Sequence, residues 1–208
     1  MTASPCDFYS RRVPAQWNRA LDLQRRTAAD DPDAGRVADA MEAVNGTIRV
    51  VVTSPEDRKE TFHLDIADGR MQAADEPCHP PFMTLAHDRA TFEVLERESG
   101  DSVLGFLGGL AGLGEELKLT AGRMQNLAGL SGTLRFCRTG ERGFAILVHF
   151  GADAIGEPHC SLEIGPEAYE QLRAGTLSPH EAFMDGQIVA TGDMQMAMQL
   201  ALAAMTPD

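Results

Sequence analysis

The chain reads as an α+β protein: a helix-covered antiparallel sheet, built twice over within 208 residues. Three observations predict it. Short β-branched or aromatic runs alternate with period two, as half-buried strands do. Capped amphipathic stretches separate them in the order helix, antiparallel strands, helices, strand, helix, which is the order of an α+β fold. Finally, a set of residues recurs in the second half of the chain in the same order as in the first.

The elements follow in sequence. Residues 14–26, with Trp17 and Leu21 on one face, form an amphipathic helix in an N-terminal arm spanning 1–34. Residues 37–44 form a helix that ends near Asn45-Gly46, and 48–52 is a β-branched strand. Residues 61–66 alternate as a second strand, and Asp68-Gly69 turns the chain towards Met71. After a loop broken by Pro77, Pro80 and Pro81, residues 82–85 form a strand, and Asp88 caps a helix reaching about Arg97. A helix over 124–130 precedes strands at 134–137, 144–150 and 161–164 and a helix at 166–172. Ser178, Pro179 and Glu181 make a capping box with proline at the first helical position, and Gly186 stops that short helix. One strand, 187–191, then leads to a final helix started by Asp193. That helix holds Met194, Met196, Met198, Leu200, Leu202 and Met205 among alanines, with only Gln195 and Gln199 polar. A helix apolar nearly all round must be buried or must cover something greasy.

The repeat organises the rest. Asn45-Gly46-Thr47-Ile48-Arg49 returns as Ser131-Gly132-Thr133-Leu134-Arg135, an offset of 86 (132 − 46), and His63 meets His149 at that offset. Glu76-Pro77 meets Glu157-Pro158, and Phe106 and Gly109 meet Phe183 and Gly186 at 77 (183 − 106). Gly122, Met124 and Gln125 meet Gly192, Met194 and Gln195 at 70 (192 − 122). Because the offset only shrinks, and does so in Gly-rich or polar stretches that tolerate deletions, a tandem duplication is expected. The units are 35–130, with an insertion at 110–116, and 131–208, related by a pseudo-twofold axis.

Composition narrows the function. A net charge of −13 argues against nucleic acid, which requires Lys and Arg on its phosphates, and against docking on anionic membranes. Cys6, Cys78, Cys137 and Cys160 are widely spaced, which fits a reducing cytoplasm better than secretion. Arg11 and Arg12 are followed by no apolar stretch, so no secretory leader is expected. The longest apolar run, 103–113, is too short for stable membrane insertion. Homo-oligomers stay open.

With these residues in hand the second unit resembles the sterol carrier protein type 2 family. The likeness is carried by Ser161-Leu162-Glu163-Ile164, the helix 167–174, Leu177-Ser178-Pro179-His180-Glu181-Ala182-Phe183-Met184-Asp185-Gly186 and Gly192-Asp193-Met194. The first unit is a degenerate match, with Gly122-Arg123-Met124 in place of Gly192-Asp193-Met194. The resemblance implies an apolar tunnel between the sheet and the C-terminal helix, taking a sterol, fatty acid or acyl-coenzyme A. Its lining would be Phe183, Met184, Ile188, Met194, Met198, Ala201 and Leu202, with Phe106 and Leu107 as weaker counterparts in the first unit. Unbranched thioethers suit such a wall because they repack around guests of different shape.

Other chemistry is weighed beside it. His63, Cys78, His79, His149, His159 and Cys160 are metal-ligand types at repeated positions, so a metal or haem site across the duplication axis is the alternative, and with it a small enzyme. Against it, neighbours in extended chain point to opposite faces, and no paired C-x-x-C or H-x-x-x-H spacing occurs. The Gly-rich stretch 103–114 lacks the Gly-Lys-Ser/Thr end of a phosphate loop and reads as a gate or packing segment. Ser161 and Ser178 sit in no nucleophile elbow. The expectation is thus a carrier with no catalytic residue and no required cofactor. The bland alternative is an interaction protein whose tunnels are filled by its own side chains.

Overall fold

A computed structural model describes residues 4–110 and 116–205. The N-terminal helix starts earlier than the sequence indicates, as α1 (Pro5–Asp7), a π-helical turn (Phe8–Arg12) and α2 (Val13–Thr27) in one rod. Ser4 caps it through the Asp7 N–H. The π turn explains how the rod passes Pro14, which has no N–H to give and would clash with a regular preceding turn. The Val13 N–H reaches back five residues, to the Phe8 carbonyl. α3 (Pro32–Glu42) follows, capped by Asp31.

Among the described residues eight strands form one sheet: β1 (Gly46–Thr53), β2 (Lys59–Ala67), β3 (Arg70–Ala74), β4 (Pro81–Asp88), β5 (Gly132–Arg138), β6 (Phe144–Phe150), β7 (Cys160–Ile164) and β8 (Ile188–Gly192). Their spatial order is β3-β2-β1-β4-β6-β5-β7-β8. β1 lies antiparallel to β2 and parallel to β4. β5 lies antiparallel to β6 and parallel to β7. β4 and β6 pair antiparallel and join the two halves into a continuous sheet. The segment after Gly69, expected only as a turn, is strand β3 against β2.

The remaining helices are α4 (Arg89–Ser99), α5 (Val103–Leu110), α6 (Ala121–Ala128), α7 (Pro166–Arg173), α8 (Pro179–Met184) and α9 (Met194–Met205). Expected caps are in place: Asp88 on α4, the reciprocal Ser178–Glu181 box on α8, and Asp193 on α9. Residues 103–110 of the Gly-rich stretch are helical, and 111–115 lie outside the described residues.

Period-two alternation puts Ile48, Val50, Val52, Leu64, Ile66, Leu134, Phe136, Phe144, Phe150, Cys160 and Ile164 on one face, and every core cluster draws on that face. Over β1–β3 it is filled by Phe8, Tyr9, Val13 and Trp17, each side chain contributing roughly 1.5–3 kcal/mol on leaving water. Asn18 bonds both the N–H and the carbonyl of Met71, and the Trp17 indole donates to the Gly69 carbonyl, so α2 seals this end of the sheet.

Candidate functional site

The second half of the same face is less completely filled. Its two margins are closed. At one, Leu134, Phe150 and Cys160 pack under Met196 of α9, which is 4% exposed. At the other, Phe144 and Ile164 pack under Ala168, Tyr169 and Leu172 of α7 and Phe106 of α5. Between the margins runs a row of neighbours in register, Ile146, Phe136, Leu162 and Ala190, and each keeps part of its surface open. Across four strands the row spans about 14 Å. Phe136 packs against both clusters, so the row lies at their seam.

At the equivalent place in the first half Phe62 and Leu85 are likewise half-buried, and the difference lies in the central residue. Val50, between Phe62 and Leu85 in the sheet, has no exposed surface and packs with Phe8 and Tyr9. The Tyr9 hydroxyl donates to Nε2 of His87 at 2.7 Å, and His87 Nδ1 meets the Asp88 carbonyl at 2.9 Å. Burial pushes the Tyr9 phenol up and pulls the His87 imidazole down, so both are neutral at pH 7.

Most of the residues predicted to line a tunnel are exposed on α8 and α9, next to β8. Met184, Met198 and Leu202 are 69%, 63% and 64% exposed, and Phe183 and Met194 are also exposed. Met194, Met198 and Leu202, four residues apart, make one outward stripe on α9. The stripe turned to the sheet is instead the one carrying Met196 and Ala203. Ile188 is half-buried beside the α7 cluster; the side chain of Ala201 lies outside those described. Phe106 of α5 is buried against α7 under the Arg173 guanidinium, and Leu107 is exposed. Among the described residues eight large apolar side chains are exposed, six of them between 183 and 202, so apolar surface is concentrated on the C-terminal segment. A concavity of about 270 Å³ beside α2 is lined by Arg19, Ala20, Leu23, Arg26 and Glu116.

The metal-ligand candidates do not converge. His63 on β2 and His149 on β6 are three strand spacings apart, about 14 Å. Nor are they equivalent by register. His63 pairs with Arg49, and His149 with Thr133, whose counterpart Thr47 pairs with Asp65. The matching contacts are therefore Thr47 Oγ1 to Asp65 and Thr133 Oγ1 to His149 Nδ1. Matching by offset alone missed this because β2 and β6 align two residues differently. The Cys78 and His79 backbone N–H groups bond Asp65 and Thr47, and Asp65 holds the Cys78 thiol proton and pushes its pKa up. His159 Nδ1 accepts the Thr133 N–H. Cys160 points to the helix-covered face and is buried there. Among the described residues no three His, Cys, Asp or Glu side chains are placed to hold a metal.

Two buried groups on the helix-covered face were not foreseen. Arg138 extends the inward series Leu134, Phe136, Arg138, and it lies 4.6 Å below the Tyr169 ring. The Tyr169 side chain is fully buried, and burial pushes its phenol up. The alternation of β5 was the signal for Arg138; nothing local marks Tyr169.

Residues 116–204 match the model of the SCP-2 sterol transfer family. The matched stretch runs from just before α6 into α9 and includes the row Ile146, Phe136, Leu162 and Ala190 with α7 and most of α9. Sterol carrier protein 2 like 2 from Aedes aegypti is 22% identical over 34% of this chain and 71% of its own, with a TM-score of 0.28. Apo sterol carrier protein 2 from Yarrowia lipolytica is 12% identical over 96% of this chain and 99% of its own, with a TM-score of 0.21. No curated protein matches the sequence. Among the described residues no helix is long and apolar enough to cross a membrane.

Proposed function

We propose that this protein binds one apolar, lipid-type molecule per chain in the groove over Ile146, Phe136, Leu162 and Ala190, with α9 as its movable roof, and carries it as a sterol, fatty acid or acyl-coenzyme A carrier does. The observation that carries the reading is the open row between two closed margins. A sheet face that buries both ends and leaves its apolar middle accessible has room for a guest. Burying that middle gains about 25 cal/mol per Å² with no catalytic group needed. The match of 116–204 to a sterol transfer family supports it. So does the set of thioethers on α8 and α9, which repack cheaply.

One site per chain follows because Phe8, Tyr9 and Trp17 already occupy the corresponding face of the first half. The recurrence of the β1, β2, β4 pairing in β5, β6, β7 supports the duplication on which that correspondence rests.

The test is native mass spectrometry and fluorescent-lipid loading of the full chain, with Leu162→Trp to fill the groove and Met198→Trp on the lip. Loading at one equivalent that Leu162→Trp abolishes, with the fold intact by circular dichroism, is expected. Undiminished loading of Leu162→Trp would overturn the groove.

A further inference from the structure

The first half of the chain contains its own model of an occupied site. On the helix-covered face Val50 stands between Phe62 and Leu85, and one residue pair along, Val52 has His87 beside it. Tyr9 lies over that row with its ring 5.4 Å from Phe62, and its hydroxyl is hydrogen-bonded to His87 at the row's end. It is an apolar body with one polar tip, and the tip is satisfied by the sheet.

In the second half Phe136 stands between Ile146 and Leu162, and one residue pair along, Arg138 stands between Phe144 and Ile164. Beside the middle of the row, in the margin under α7, Arg138 Nε and the Tyr169 hydroxyl are both buried without a hydrogen-bond partner among the described residues. Arg138 is 7% exposed and Tyr169 0%. Buried donors are nearly always paired in native folds, so two together at one place call for an acceptor. The other Arg138 nitrogens meet the Arg142 carbonyl at 3.3 Å and Glu170 at 3.5 Å. Glu170 is 59% exposed, so this pair is weak and leaves the guanidinium without a buried counter-charge. The neighbouring cation, Arg173, is already paired with Glu98.

We infer that Arg138 and Tyr169 form a head-group site on the α7 side of the groove, and that they select an amphiphile with a carboxylate head over an uncharged one of the same chain length. This rests on the binding reading above and adds the residues that recognise the polar end. A carboxylate can accept from the guanidinium and the phenol together, and charge-assisted bonds of this kind are the strong ones.

The experiment is equilibrium binding of hexadecanoate and of hexadecan-1-ol, each delivered from cyclodextrin, to the full chain and to Arg138→Met and Tyr169→Phe. The unaltered protein should prefer the acid by about tenfold or more. Arg138→Met should abolish that preference while keeping alcohol binding. Tyr169→Phe, which changes almost no volume, should narrow it several-fold. Equal affinity for acid and alcohol in the unaltered protein would overturn the head-group assignment and leave the groove standing. Uptake of neither probe would overturn both. Should Arg138→Met fail to fold, Tyr169→Phe decides: an unchanged acid-to-alcohol ratio overturns the assignment.

Discussion

Replacing Gly192 by alanine tests how α9 is set against the sheet. Gly192 ends β8 opposite Cys160 with φ +86°, a conformation that costs an L-residue roughly 1–2 kcal/mol. A Cβ there would collide with the His159 carbonyl oxygen and lie 3.2 Å from its carbonyl carbon and 3.4 Å from the Cys160 Cα. These are backbone atoms and cannot rotate away. The same carbonyl accepts the Asp193 N–H at 2.8 Å, and the His159 N–H is bonded to the Thr133 carbonyl at 2.7 Å. Moving it therefore strains two strands and the start of α9, a further roughly 1–3 kcal/mol. The sum, about 2–5 kcal/mol, is a large part of the total stability of a domain this size. Urea unfolding of Gly192→Ala should show it, alongside Gly156→Ala as control, where an added Cβ meets nothing within 4 Å. The control should be neutral or stabilised by up to about 1 kcal/mol. A Gly192→Ala loss below about 0.5 kcal/mol would refute the reasoning, since neither the backbone sign nor the collision would then be real.

Two further outcomes are expected. His87 is held below the usual imidazole range by burial, so the unfolded chain takes up a proton that the native one refuses. Stability should then fall as pH drops below about 6.5, and the melting temperature of His87→Gln should fall less over the same range; identical curves would remove His87 as the cause. Met196→Ala should cost about 2–5 kcal/mol through a cavity under α9, whereas Met198→Ala should stay within about 0.5 kcal/mol in unfolding experiments yet weaken lipid loading. Equal destabilisation by the two would reverse the assignment of the helix faces.

Much of the fold was legible because local chemistry and tertiary structure agree there. Capping side chains at Asp88, Ser178 and Asp193 mark helix starts that the structure keeps, and alternation from Leu134 to Arg138 gives both strand and face. What sequence reading lost was decided by partners distant in the chain. The register that sets Asp65, and not His63, against the counterpart of His149's threonine depends on how each hairpin pairs. The helix before Pro14 exists because a π turn absorbs the proline, and because Phe8 packs edge-to-face with Tyr9 and with Phe92. The outward turn of Met198 had no signal at all, since a helix with apolar residues on every side carries no moment to say which face goes in.

That absence of a moment has an energetic meaning. Burial of Met196 and Ala203 accounts for one face of α9, but Met198 and Leu202 remain largely in water, and covering each is worth roughly 1.5–3 kcal/mol. At about two-thirds exposure these two side chains together leave about 2–4 kcal/mol unrealised, a factor of about thirty or more in the balance between this arrangement and one that covers them. The first half of the chain has no such reserve, because Trp17, Val13 and Phe8 already lie on its sheet. On the proposed reading, then, the two halves differ in where the occupant comes from. One face is closed by a segment of its own chain and gains nothing from a guest; the other keeps an adaptable thioether roof that can repack to cover something apolar.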